Sequence, residues 1–130
     1  MKKQLNAVEE FHNSFNEENG TEPQLIPEDK FYLRHKLMDE ENKEYLEACR
    51  EGDMVEIADA LGDQLYILCG TILKHGMQHI IEDLFTEIHR SNMSKLDENG
   101  KPIFRMDGKI MKSHLYEKPN LTAIVFGKDC

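Results

Sequence analysis

Cysteine is scarce in this chain of 130 residues, and the three present, Cys49, Cys69 and Cys130, fall at no metal-ligand spacing. An odd number of thiols, behind a start with two lysines but no apolar segment of the kind a secretory leader needs, fits reduced cysteines in the cytoplasm. Long hydrophobic runs are missing too. The most apolar stretch, residues 54–73, carries three acids, which speaks against a membrane span. Basic excess is likewise lacking: the formal charge is −9, so the basic face of a general nucleic-acid binder is not to be expected. The six histidines (His12, His35, His75, His79, His89 and His114) form no ligand pattern, and there is no internal repeat or low-complexity segment.

What is present is acid, unevenly placed. Residues 1–63 hold 17 acidic and 7 basic side chains, whereas the remainder holds 8 and 9. Hydrophobic periodicity predicts helices over 3–18, 28–51, 54–74 and 77–95. Pro27 suits the first turn of the second helix, Gly52 its end, Asp53 the N-cap of the third and Gly76 its close. The fourth helix turns Ile80, Ile81, Leu84, Phe85, Ile88 and Met93 to one side. Asp107-Gly108 between "IFRM" and "KIMK" reads as a small hairpin, and Leu121, Ile124, Val125 and Phe126 as a packed tail. The expectation is all-α: a four- to five-helix bundle with a C-terminal β-hairpin, one domain over 1–130. Its core would span 28–96, with a basic hairpin and tail over 97–130.

The carboxylates pose the question of function. On the second helix Glu44 falls on the stripe of Leu33, Leu37 and Ala48, flanked by Glu40 and Glu41. Asp39, Lys36, Lys43 and Glu47 lie on the opposite, solvated side. In the third helix, between residues 54 and 73, the charged residues are Glu56, Asp59 and Asp63, on one stripe of an otherwise mostly apolar cylinder. Capping explains Glu56 alone. Buried like charges cost several kcal/mol each, on the order of magnitude seen for unpaired ions, unless a cation holds them. The short link at Gly52 makes the two helices antiparallel neighbours, so the stripes can meet. An all-oxygen set favours Mg²⁺ or Mn²⁺ over zinc.

Glu40-Glu41-Asn42-Lys43-Glu44, followed after eleven residues by Glu56-Ile57-Ala58-Asp59, resembles the EExxE…ExxD signature of the all-α nucleoside triphosphate pyrophosphatases. The stretches "GDMVEIADALGDQLYILCGT" and "RSNMSKLDENGKPIFRMDGKIMK" are similar to the MazG-like, phosphoribosyl-ATP-pyrophosphohydrolase-like branch. The resemblance implies Mg²⁺-dependent hydrolysis between the α- and β-phosphates of a nucleotide. It makes Glu41, Glu44, Glu56 and Asp59 metal ligands, with Glu40 a further ligand or the group orienting the water. Asp63, one turn on, would support the metal through a water. It also implies a homodimer or homotetramer.

A phosphate clamp is expected from the basic second half, with Asn92 and Lys95 one turn apart, Lys109 on the hairpin, and Tyr116 able to stack on a base. Two rival readings remain at this point. A di-iron or di-manganese carboxylate bundle would need Glu-x-x-His pairs on two different helices, a combination the chain lacks; a catalytically silent nucleotide-binding module would keep the fold without turnover.

Overall fold

The computed structural model describes residues 1–127, so Cys130 lies outside the described residues. They form five helices and one hairpin: α1 (Lys2–Ser14), α2 (Glu28–Glu51), α3 (Met54–Lys74), α4 (Ile81–Met93), β1 (Ile103–Phe104), β2 (Ile110–Met111) and α5 (Thr122–Phe126). The all-α expectation with a C-terminal hairpin therefore holds. The chain divides into two compact units, the first being Met1–His79 and the second beginning at Ile80.

In the first unit α2 and α3 pack along each other and α1 lies on α3. The turn between α2 and α3 is set by local chemistry. Gly52 takes the left-handed φ of 67° that ends α2, and Asp53 caps α3 by accepting the Glu56 N–H at 3.1 Å. Arg34 ties the far ends together, donating from Nε to Thr71 Oγ1 at 3.0 Å and from Nη2 to the Ile67 carbonyl at 2.8 Å. Gly70 is required beneath it, because a Cβ there would stand 2.6 Å from Arg34 Nη2.

The core of this unit gathers Leu5 and Val8 of α1 with Ala60, Cys69, Ile72 and Leu73 of α3. On α1 the buried member of the Phe11–His12 pair is His12, whose Nδ1 meets Asn19 Oδ1. The prediction that α3 is interior along its length holds only for its last turns, from Cys69 to Lys74. Met54, Val55, Leu61, Leu65, Tyr66 and Leu68 are exposed, because one short helix and one long one do not enclose a 21-residue cylinder.

The loop from Phe15 to Pro27 is pinned to the end of α3. The Gly20 N–H donates to the Leu73 carbonyl, the Gln24 N–H to the His75 carbonyl, and Gln78 Nε2 to the Gly20 carbonyl. Gly76, with φ 65°, passes so close beneath Glu22 that any side chain would strike the Glu22 carbonyl.

In the second unit α4 is shorter than its periodicity predicts, because 78–80 and 94–95 form turns. Leu84 and Ser91 are its buried residues; Phe85, Ile88 and Met93, predicted to pack, are exposed. Ser91 Oγ donates to the Glu117 carbonyl and Glu87 accepts the Asn120 N–H, so the tail is fastened by hydrogen bonds rather than by an apolar stripe. The hairpin pairs Ile103 with Met111 and Phe104 with Ile110 around Gly108, with both strands exposed. In α5, Ile124 and Val125 are partly covered and Phe126 is exposed.

Candidate metal and nucleotide site

Antiparallel packing of α2 on α3 brings together four of the carboxylates singled out by their spacing. Glu41 is the focus. It is half-buried, and its Oε2 is shielded from solvent with no hydrogen-bond partner. Burial pushes its carboxyl up to about 7, helped by Glu44 beside it and by the charges of Asp63 and Asp59 across the helix pair. An unpartnered, buried carboxylate oxygen among like charges is what a hard cation relieves. All four donors are oxygen, which suits Mg²⁺ or Mn²⁺. In donor chemistry these residues suit a divalent ion.

Not every expectation survives. Glu40, Glu44, Glu56 and Asp59 are exposed and Asp63 is half-buried, so the prediction that all six acids turn inward fails for most of them. Leu33, whose stripe was to bury Glu44, is itself exposed, because α2 is covered on one side only. Among the described residues no three acidic, histidine or cysteine side chains converge closely enough to hold an ion as they stand. The charges acting on Glu41 come from Glu44, Asp63 and Asp59; Glu56 sits in the first turn of α3 over the Asp53 cap, and Glu40 stands near Lys43. As expected, Asp39 and Lys43 form a solvated pair at 2.7 Å.

Sequence reasoning missed Asn42 and Gln64. Gln64 Nε2 donates to Asn42 Oδ1 at 3.3 Å, one residue from Glu41 on α2 and one from Asp63 on α3. This amide bridge spans α2 and α3 beside the carboxylates. With His35, Met38, Asp39 and Leu68 it lines a cleft of about 370 Å³, whose mix of amide, imidazole and apolar faces suits a planar heterocycle. Its only signal in the sequence was two amide residues on facing helices, a pattern too common to single out.

The residues expected to hold substrate lie in the second unit. Asn92 is exposed near the end of α4, and its carbonyl accepts the Lys95 N–H at 3.1 Å, so those two share a turn as predicted. Lys109 is exposed on the hairpin, where its N–H donates to Asp107 Oδ1. Tyr116 is partly covered and carries Lys112 Nζ 4.5 Å from its ring centre, so its face already holds a cation.

The model of the phosphoribosyl-ATP pyrophosphohydrolase family matches residues 8–92, a span that contains α2, α3 and every carboxylate of the cluster. No curated protein matches the chain. No helix among the described residues is long and apolar enough to cross a membrane.

Proposed function

Because the chain belongs to the phosphoribosyl-ATP pyrophosphohydrolase family, and so to a family of nucleotide pyrophosphohydrolases, we propose that it cleaves a nucleoside triphosphate or related nucleotide to the monophosphate and pyrophosphate. The role would be nucleotide-pool house-cleaning in the cytoplasm, with Mg²⁺, or Mn²⁺ in its place. The observation that carries this reading is the buried, unpartnered Glu41 oxygen amid Glu44, Asp59 and Asp63.

Glu41, Glu44, Asp59 and Asp63 would hold the cation, joined by Glu56 one turn before Asp59. When bound, the metal supplies charge neutralisation for phosphate oxygens and lowers the pKa of a water. Glu40, exposed on the same turn of α2, orients the attacking water and receives its proton. The water oxygen bonds to the α-phosphorus while the bridge to the β-phosphate breaks, and pyrophosphate leaves with that bridging oxygen. Asn92, Lys95 and Lys109 would bind the outer phosphates and Tyr116 the base. The exposed Leu61, Leu65 and Leu68, on one face of α3, support assembly into a homodimer or homotetramer, since an apolar face of this kind favours a second copy.

Phosphoribosyl-ATP itself is the second substrate reading, favoured by the family matched. The test is pyrophosphate release from a panel of canonical, deoxy and modified triphosphates plus phosphoribosyl-ATP, with and without Mg²⁺. Release from at least one, lost in Glu44→Ala and Asp59→Ala, is expected. No release from any, or full activity in both variants, overturns the reading.

A further inference from the structure

We propose that the cavity where the 15–27 loop meets the end of α3 is a second site, built to bind a phosphate group whose place Glu17 occupies in this structure. The cavity measures about 640 Å³ and is lined by Asn16, Glu17, Asn19, Gln24, Lys30 and Lys74, with exposed Glu18 in its wall. By helix rise, Lys74 lies eleven residues beyond Asp63, about 16 Å along α3 from the carboxylate cluster. The cavity therefore lies beyond the carboxylate cluster, at the end of α3 remote from the Gly52 turn.

Lys74 is the unusual residue. Only 9% of it is exposed, yet it carries a charged ammonium, whose Nζ donates to Glu17 Oε2 at 2.6 Å. A buried ammonium is costly unless an anion meets it. Here the anion comes from a loop residue whose own side chain is 47% exposed and so free to move aside. Lys30 and Arg34 also act electrostatically on Glu17. A phosphate group carries more charge and more acceptor oxygens than Glu17 does, and the amides of Asn16, Asn19 and Gln24 add donors in the same wall. The loop's backbone bonds to Leu73 and His75 keep this wall formed.

Two sources share that chemistry: free inorganic phosphate, and a phosphate of a nucleotide remote from its triphosphate. The experiment titrates the full chain with inorganic phosphate by calorimetry in EDTA, which removes divalent ions from the carboxylate cluster. It compares wild type, Glu17→Gln and Lys30→Gln, with circular dichroism verifying the fold of each. Glu17→Gln is expected to bind phosphate about tenfold tighter than wild type, since a competing charge at contact distance is gone, and Lys30→Gln to bind more weakly. Equal affinity in all three, or no binding by Glu17→Gln, overturns the proposal and leaves Glu17–Lys74 a plain ion pair fastening the loop.

In a second arm, a KM changed for phosphoribosyl-ATP but not for ATP assigns the phosphate to the substrate. A KM changed for neither assigns it to free phosphate. Because the titration needs no turnover, it stands or falls apart from the pyrophosphohydrolase reading.

Discussion

Replacing Glu41 by glutamine should stabilise the first unit in the absence of divalent cations, even though it removes a proposed ligand. The carboxyl's pKa is displaced upward from an ordinary 4.5 to about 7. A displacement of about 2.5 units corresponds to about 3 kcal/mol, at 1.36 kcal/mol per unit. Exposure of Glu44 and Asp59 screens their charges, which brings the usable figure to about 1–2 kcal/mol.

The sign follows from proton binding. Between 4.5 and 7 the folded chain holds a proton that the unfolded chain has released, so wild-type stability falls as pH rises through that window. The glutamine variant lacks this loss. Its advantage should be absent below about pH 4.5, grow across the window, and stay constant above about pH 7. Urea unfolding in EDTA reads this directly. Tyrosine emission is a suitable probe, because Tyr32, Tyr45 and Tyr66 lie in the first unit and Tyr116 alone in the second. Adding Mg²⁺ should reverse the order, since a ligand that binds the folded state stabilises it by mass action and wild type binds it better. A variant no more stable than wild type at about pH 8 in EDTA, or a pH-independent difference, would refute the account of Glu41.

Other outcomes follow from the same geometry. Asp53→Ala should lose about 1 kcal/mol of stability in urea unfolding, because the Glu56 N–H loses its cap. Gly70→Ala should cost about 1–3 kcal/mol through its encounter with Arg34, whereas Gly62→Ala, which meets nothing within 4 Å, should be neutral or stabilising by up to about 1 kcal/mol. Glu87, held down to about 2 by Arg90 and by the Asn120 N–H, stabilises the tail above its unfolded pKa and ceases to do so as pH falls from about 4.5 through 2. The protection factor of the Asn120 amide, its exchange relative to the intrinsic rate at the same pH, should fall in acid, and at neutral pH in Glu87→Gln.

Much of the fold was legible because local chemistry specifies it. The α2–α3 turn needs a residue tolerant of φ 67° followed by a side chain able to cap, and Gly52-Asp53 supplies both in order. The hairpin was legible for a similar reason, Asp107-Gly108 providing the turn between two apolar pairs. The errors arose where periodicity had to stand in for a neighbour. A stripe of Ile80, Phe85, Ile88 and Met93 says that one face of α4 is apolar, not that anything covers it. The same holds for Leu33 and hence for the supposed burial of Glu44.

Spacing along α2 and α3 by itself determined that Glu41, Glu44, Asp59 and Asp63 could share one side of a helical hairpin, because 3.6 residues per turn is a property of the backbone. Which of them loses its water was decided only by tertiary packing. Burial of a carboxylate depends on what lies opposite it, and opposite Glu41 stands α3, whereas Glu44 and Asp59 lie toward the open edge of the pair. Lys74 teaches the same lesson more strongly. At the end of an apolar helix nothing in its spacing marked it out, and it became a nearly buried cation because the 15–27 loop folds back over it.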